Sequence, residues 1–205
     1  MNFLAHFYLA YGDEERLVGQ FIADAVKGKQ VHDYSDNIRD GILQHRLIDT
    51  MTDSHGAVSK LRAAIREDIG LLSSIAIDVY LDHALATQWS RFHGTPLNEF
   101  SQKCYSQLEK HKALLPERMQ ITLHYMKQYD WLSHYEQQEG IIRSLRGMSS
   151  RVRGGEKLLV AIDKFPLLIP SIHETFEQVF SDLTVAVKDH ISGTNSSYLD
   201  SNHYY

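Results

Sequence analysis

Apolar residues recur three and four positions apart along almost the whole 205-residue chain. This spacing places side chains on one face of an α-helix, whereas a half-buried strand alternates at every second residue. The predicted helices span residues 3–11, 14–27, 37–52, 57–68, 72–92, 96–114, 116–128, 138–150, 155–164 and 170–191. The short connections between them are typical of antiparallel neighbours, so we expect an all-α, single-domain helical bundle.

Length and composition limit the organisation of the chain. Residues 1–192 fit one domain, and the polar segment 193–205 is expected to be a disordered tail. No run of apolar residues approaches the ~20 that a membrane-spanning helix needs. The apolar opening lacks the basic leader of a signal peptide, and the single cysteine, Cys104, excludes an internal disulfide framework. We therefore expect a soluble, cytoplasmic protein with no membrane partner.

The charge distribution narrows the choice of partners. The net charge of −5 argues against nucleic acid as a partner, because such binding depends on neutralising phosphates. Residues 1–90 carry the whole −5, while residues 91–205 are neutral. Within that neutral half, residues 143–157, here called the basic stretch, have a net charge of +4. Such a stretch can attract phosphate or an acidic protein, although a solvated helix end would have the same composition.

Ionisable side chains of the metal-ligand type lie on four of the apolar predicted helices. They are His6, Asp24, the series His45, Asp49 and Asp53, and the group Asp78, Asp82 and His83. Members of the series lie four residues apart and so share a helix face. Burying such groups is costly unless they are paired or bind a metal, so the pattern favours a shared metal centre. Histidine and carboxylate ligands without a thiolate suit Mn²⁺, Mg²⁺ or Fe²⁺.

Each of these residues also has an ordinary structural interpretation. His6 can be a hydrogen-bonded core histidine, and Asp24 can pair with an arginine. His45 and Asp49 can form a simple helix-face pair. Asp53 can cap the helix that follows it. The residues alone leave these alternatives open.

Several motifs taken together resemble the acyl carrier protein phosphodiesterase family. They are Asn2-Phe3-Leu4-Ala5-His6, the string from Gly41 to Asp53, the group Asp78, Asp82 and His83, and Gly147-Met148-Ser149-Ser150-Arg151. The resemblance covers residues 1–192 and extends distantly to the all-α, metal-dependent HD phosphohydrolases, although Asp82-His83 reverses the order of the HD dipeptide. It implies Mn²⁺-dependent hydrolysis of the phosphodiester that joins 4′-phosphopantetheine to a serine of acyl carrier protein, within fatty acid biosynthesis.

The resemblance also suggests roles for individual residues. The expected metal ligands are Asp24, His45, Asp49 and Asp82. Asp53 or Asp78 would orient the nucleophile or a ligand histidine. His6 or His83 would protonate the serine leaving group, and Arg46 would bind the phosphate.

The basic stretch would dock the acidic carrier protein and steer its approach. Its expected contact residues are Arg143, Arg146, Ser149, Arg151 and Arg153. Two other functions fit the same residues. An HD-type nucleotide phosphohydrolase would use the same metal centre, and a non-catalytic helical module would bind an acidic protein through the basic stretch. The sequence indicates no oligomeric state.

Overall fold

The computed structural model describes residues 1–193, and within that range it contains helices and no strand. Its α-helices are α1 (Phe3–Leu9), α2 (Glu14–Ile22), α3 (Asp36–Ser54), α4 (Gly56–Ile69), α5 (Ser73–Thr87), α6 (Leu97–Lys110), α7 (Glu117–Gln128), α8 (Trp131–His134), α9 (Gln138–Ser149) and α10 (Leu158–Ile191). The all-α prediction is confirmed. The tail predicted for residues 193–205 lies outside the described residues apart from Gly193.

Polar side chains and glycines at the helix ends explain several of these boundaries. The Asp13 carboxylate accepts the backbone N–H of Arg16 at 2.8 Å and so caps the N-terminus of α2. His55 Nδ1 accepts the N–H of Ala57 at 3.1 Å and caps α4. The cap of α4 is therefore His55, whereas Asp53 lies inside α3. Gly70 ends α4 with a φ of 61°, a backbone conformation that residues other than glycine rarely adopt.

The helix at the C-terminal end corrects one prediction. The sequence indicates two helices, 155–164 and 170–191, but α10 is a single helix of 34 residues with Pro166 and Pro170 inside it. An internal proline costs about 3 kcal/mol because it removes a hydrogen bond and crowds the preceding turn. Helix α10 buries apolar side chains along its length against α3, α4, α5 and α9, and this burial outweighs the local preference.

Helix α5 is the most buried element in the centre of the fold. It is shorter than the predicted helix 72–92, because the chain turns after Thr87 and forms a short 3₁₀ segment at Trp89–Arg91. Its buried side chains include the polar residues Asp82 and His83. Helix α5 contacts α1, α4, α9 and α10, so these four helices pack around it.

One segment is long and apolar enough to cross a membrane. The sequence prediction did not indicate it, because that prediction considered only uninterrupted runs of apolar residues. The segment is Gly56–Thr87, which comprises α4 and α5. The chain breaks the segment at Gly70, and 67% of its apolar window is buried inside the protein. This burial is typical of the core helices of soluble proteins.

Two glycines allow α2 and α3 to approach backbone to backbone. A Cβ on Gly19 would overlap the carbonyl oxygen of Ile38 and lie 2.8 Å from the Cα of Gly41. A Cβ on Gly41 would overlap the carbonyl oxygen of Arg16. Larger side chains at either position would separate the helices, so this contact fixes the position of α3 relative to α2.

The close contact predicts the effect of an added methyl group. We expect Gly41→Ala to lower the free energy of unfolding by about 1–3 kcal/mol, because overpacking forces the backbones apart. The matched control is Gly147→Ala on α9, where a Cβ meets no atom within 4 Å. That change should raise stability by up to about 1 kcal/mol through helix propensity alone. Urea unfolding followed by circular dichroism measures both, and equal stability of the two variants would contradict the proposed close contact.

Candidate active site

Two histidines and two carboxylates converge near the N-terminus of α1. His6 lies on α1, His45 and Asp49 lie four residues apart on α3, and Asp24 lies in the 3₁₀ turn Ala23–Ala25 after α2. Asp49 contacts both histidines, with Oδ1 3.1 Å from His6 Nε2 and Oδ2 3.1 Å from His45 Nε2. Asp24 Oδ1 lies 3.5 Å from His45 Nε2, and the two imidazole rings stack with centroids 3.9 Å apart. These four residues are called the cluster below.

The cluster has the spacing of a cation site. One ligand atom from each of His6, His45 and Asp49 lies within 4.8 Å of the other two. His6 and His45 are buried, and Asp49 is partly exposed, so the group faces solvent through its carboxylate. Both ring nitrogens of His45 are buried and make no hydrogen bond, although Nε2 lies close to two carboxylates.

Gln20 orients the imidazole of His6. Its amide oxygen lies 2.9 Å from His6 Nδ1, so in this orientation Nδ1 donates and Nε2 presents a lone pair. Nε2 faces two oxygens at 3.1 Å, the carbonyl of Met1 and Oδ1 of Asp49. A lone pair directed at a carboxylate is repulsive unless a positive charge lies between them, so this geometry suits a bound cation.

Two arginines hold the turn that carries Asp24. Arg46 donates to the carbonyl oxygen of Val26 at 3.1 Å, and Arg118 donates to the backbone carbonyl oxygen of Asp24 at 3.1 Å. These bonds satisfy carbonyl groups at a helix end that would otherwise have no partner. Arg46 therefore positions the turn and does not line the cavity.

The two histidines have opposite protonation preferences. Burial and, to a lesser extent, the neighbouring charge of His45 together lower the pKa of His6 to about 4, and the contact with Asp49 does not compensate for them. Burial also acts to lower the pKa of His45, but the carboxylates of Asp24 and Asp49 outweigh it and raise that pKa to about 9. Burial acts to raise the pKa of Asp49, yet the two histidines hold it below its usual value. The pair of carboxylates thus attracts positive charge to this point.

A cavity of about 150 Å³ opens beside the cluster. Its lining residues are Met1, Asn2, Phe3, His6, Asp24, His45, Asp49, Ile75, Asp78 and Met148. The volume is below the range of about 300–1,000 Å³ of drug-sized ligand sites, so it suits a compact group such as a phosphate with its first substituent atoms. A larger cavity of about 340 Å³ lies near the C-terminal end of α1 and contains no cluster residue.

Asp78 lines this cavity. Its Oδ1 accepts a hydrogen bond from the amino group of Met1 at 3.0 Å. Burial raises the pKa of Asp78 although the nearby amino group opposes the shift. Of the two carboxylates predicted on α5, this one reaches the site.

Asp82, the second carboxylate of α5, does not reach the cluster. Its Oδ1 accepts the N–H groups of Asn2 and Ala5 at 3.2 and 3.3 Å, and Oδ2 accepts that of Leu4 at 2.7 Å. It is fully buried, and burial raises its pKa to about 7. Because both oxygens bind the first turn of α1, Asp82 caps that helix, and it belongs neither to the cluster nor to the cavity lining.

Two other predicted site residues lie away from the cavity. Asp53 forms an ion pair with Arg62 at 2.6 Å on the surface. His83 does not line the cavity; its Nδ1 lies 2.7 Å from the carbonyl oxygen of Tyr135, and its ring packs against Phe165. Adjacent residues on a helix point about 100° apart, which explains why Asp82 and His83 serve different neighbours.

The basic stretch adjoins the cavity through Met148. Its arginines Arg143, Arg146, Arg151 and Arg153 are exposed and form no ion pair with any residue in 1–193. Ser149 donates its hydroxyl proton to the carbonyl oxygen of Arg146 at 2.7 Å, which closes the last turn of α9. A Cβ on Gly155 would overlap the carbonyl oxygen of Ser149, so the loop after α9 folds tightly back on it.

Sequence reasoning missed Gln20 and Gln44. Gln44 is buried and donates to the carbonyl oxygen of Leu9 at 2.7 Å, which closes the C-terminal end of α1. Gln20 is buried beside His6. The available signal was position, since Gln20 lies four residues before Asp24 and Gln44 lies next to His45 in otherwise apolar segments.

Comparisons with known proteins point to one family. The sequence profile described as Acyl carrier protein phosphodiesterase matches residues 1–183. Proteins named acyl carrier protein phosphodiesterase from Klebsiella pneumoniae (strain 342) and Pectobacterium atrosepticum are 36% and 37% identical to this chain over 152 residues. That alignment covers 74% of this chain and 79% of each relative. The protein of that name from Yersinia pestis is 36% identical over the same length. No solved structure matches the chain significantly.

The contacts of Asp82 predict a structural role. We expect Asp82→Ala to lower the free energy of unfolding by about 2–3 kcal/mol, because it removes hydrogen bonds to three backbone N–H groups, two of which are buried. Asp82→Asn retains one acceptor oxygen and should lose less. The control is Asp36→Ala, whose side chain is 88% exposed on α3. Urea unfolding compares the three variants, and a loss for Asp82→Ala no greater than that for Asp36→Ala would contradict the capping role.

Proposed function

The chain belongs to the acyl carrier protein phosphodiesterase family, and on this basis we propose that it hydrolyses the phosphodiester that joins 4′-phosphopantetheine to a serine of acyl carrier protein. The products are 4′-phosphopantetheine and the apo carrier. One observation carries the proposal at the level of structure: a cluster of two histidines and two carboxylates opens into a phosphate-sized cavity beside the exposed basic stretch. The carrier would link this reaction to fatty acid biosynthesis.

We propose a divalent cation as the cofactor, Mn²⁺ first, with Mg²⁺ or Fe²⁺ as possible replacements. His6, His45, Asp49 and Asp24 would hold it. The two unbonded nitrogens of His45 and the lone pair of His6 directed at Asp49 support this assignment. The ligand atoms are nitrogen and oxygen, without sulfur, and such ligands suit these metals. When bound, such a cation neutralises phosphate charge and lowers the pKa of a coordinated water.

The remaining residues around the cavity have separate tasks. Gln20 holds the proton of His6 on Nδ1, which keeps Nε2 free as a ligand atom. Asp78 lines the cavity without belonging to the cluster, so it is the residue placed to exchange a proton with the attacking water or the leaving oxygen. Its pKa is raised by burial, which suits a group that must gain and lose a proton.

The basic stretch is proposed as the docking surface for the acidic carrier. Its exposed arginines have no internal partner in the described chain, so their charge is available to an approaching protein. Long-range attraction of this kind raises the association rate and orients the partner. The tight turn at Gly155 and the hydroxyl bonds of Ser149 and Ser150 give this surface a defined shape.

Two finer expectations stand as proposals. A cytoplasmic location suits the single cysteine, Cys104, which is buried as a free thiol with a pKa raised by burial to about 12. The distant relationship to HD phosphohydrolases stays a prediction. The dipeptide that would support it is Asp82-His83, and neither residue lines the cavity.

The direct test incubates the protein with holo-acyl carrier protein and follows the mass of the carrier. We expect the carrier to lose the mass of 4′-phosphopantetheine with Mn²⁺, and no loss in the presence of a chelator until Mn²⁺ is restored. Asp49→Asn should reduce kcat by about 100-fold or more, because it weakens two cluster contacts. The matched control is Asp36→Asn on the same helix, which should leave kcat unchanged. An unchanged carrier mass together with hydrolysis of nucleotides would instead indicate a nucleotide phosphohydrolase.

Charge reversal tests the docking surface. We expect the double variant Arg146→Glu, Arg151→Glu to raise KM for the holo carrier and to weaken the dependence of kcat/KM on salt. The control is Arg66→Glu, an exposed arginine of α4 outside the basic stretch. Metal binding should be the same in all variants. If the double variant and the control behave alike, the carrier docks elsewhere.

A further inference from the structure

Part of the cavity wall is apolar. Phe3, Ile75 and Met148 line the cavity together with the cluster, and each is only partly buried. They come from three different helices, α1, α5 and α9. Apolar surface exposed beside a group of charged side chains is available to bind the alkyl part of a ligand whose polar part binds the charges.

Met148 is held firmly at its place in this wall. It lies in the last turn of α9, and its carbonyl oxygen accepts the N–H groups of Arg151 at 2.9 Å and Val152 at 3.2 Å. Arg146 and Arg151 flank it in the basic stretch. The same segment therefore presents charge to the exterior and one flexible apolar side chain to the cavity, and methionine adapts well to irregular alkyl shapes.

The proposed substrate has two different ester arms, and this inference rests on that proposed function. One arm is a serine of a folded carrier protein, which is too large to enter a cavity of about 150 Å³. The other arm begins with a CH₂ group attached to a quaternary carbon that bears two methyl groups. The folded carrier stays outside the cavity, so an alkyl group that enters beside the phosphate comes from this second arm.

We propose that Met148, supported by Phe3 and Ile75, binds the branched alkyl carbon next to the phosphate and selects phosphopantetheine-type esters over unbranched ones. Met148 is then a specificity-determining residue. Contacts with one or two methyl groups discriminate between ligands by about 10-fold or somewhat more. The basic stretch then binds two parts of the substrate. Its exposed arginines bind the acidic carrier, and Met148 binds the alkyl part of the prosthetic arm in the cavity.

The test measures binding of two phosphate monoesters to the Mn²⁺-treated protein by calorimetry. The probes are 2,2-dimethylpropyl phosphate, which carries the branched carbon of the phosphopantetheine arm, and n-propyl phosphate, which does not. We expect the wild type to prefer the branched probe, Met148→Ala to reduce that preference about 10-fold, and Met148→Leu to restore most of it. The matched control is Met51→Ala, a partly buried methionine outside the cavity, which should leave the preference unchanged.

Two results would overturn the inference. One is a wild type that binds both probes equally, and the other is a Met148→Ala variant that loses affinity for both by the same factor, as a structural defect would cause. Far-UV circular dichroism verifies that each variant is folded. Failure of the proposed function would appear separately, as an unchanged mass of the holo carrier with wild-type protein, whatever the preference between the probes.

Discussion

Asp82 accepts the backbone N–H groups of Asn2, Leu4 and Ala5, and through them it fixes the seven-residue helix that carries His6. A helix this short has little stability of its own, so its position depends on tertiary contacts. Gln44 holds the other end of the same helix through the carbonyl oxygen of Leu9. With both ends fixed, the ring of His6 is held against that of His45, and half of the cluster is in place before any ligand binds.

The other half of the cluster depends on how closely two helices approach. Gly19 and Gly41 let the backbones of α2 and α3 touch, and the turn after α2 then carries Asp24 towards His45. The resulting group places two carboxylates around a buried imidazole, which raises the pKa of His45 to about 9. Two carboxylates beside one imidazole favour a positive charge at this point, where the protein interior meets solvent.

The sequence predicts the parts of this site that follow from helical spacing. His45 and Asp49 share a face because they are four residues apart, and the all-α class follows from the same periodicity. The role of Asp82 was not predictable, because a carboxylate in an apolar helix gives the same signal whether it binds a metal or caps a helix. Its partners lie 77 to 80 residues away, and no local pattern encodes that contact. Gln20 and the unbroken course of α10 through two prolines likewise depend on tertiary contacts.

We propose that His6, His45, Asp49 and Asp24 form one binding site for a divalent cation. Electron paramagnetic resonance of Mn²⁺ titrated into the purified protein tests it directly, since free Mn²⁺ gives a strong signal that binding removes. We expect the loss of signal from one Mn²⁺ per chain in the wild type, and no such loss in a folded His45→Gln variant. Equal uptake by the two proteins, or no uptake by the wild type, would contradict it.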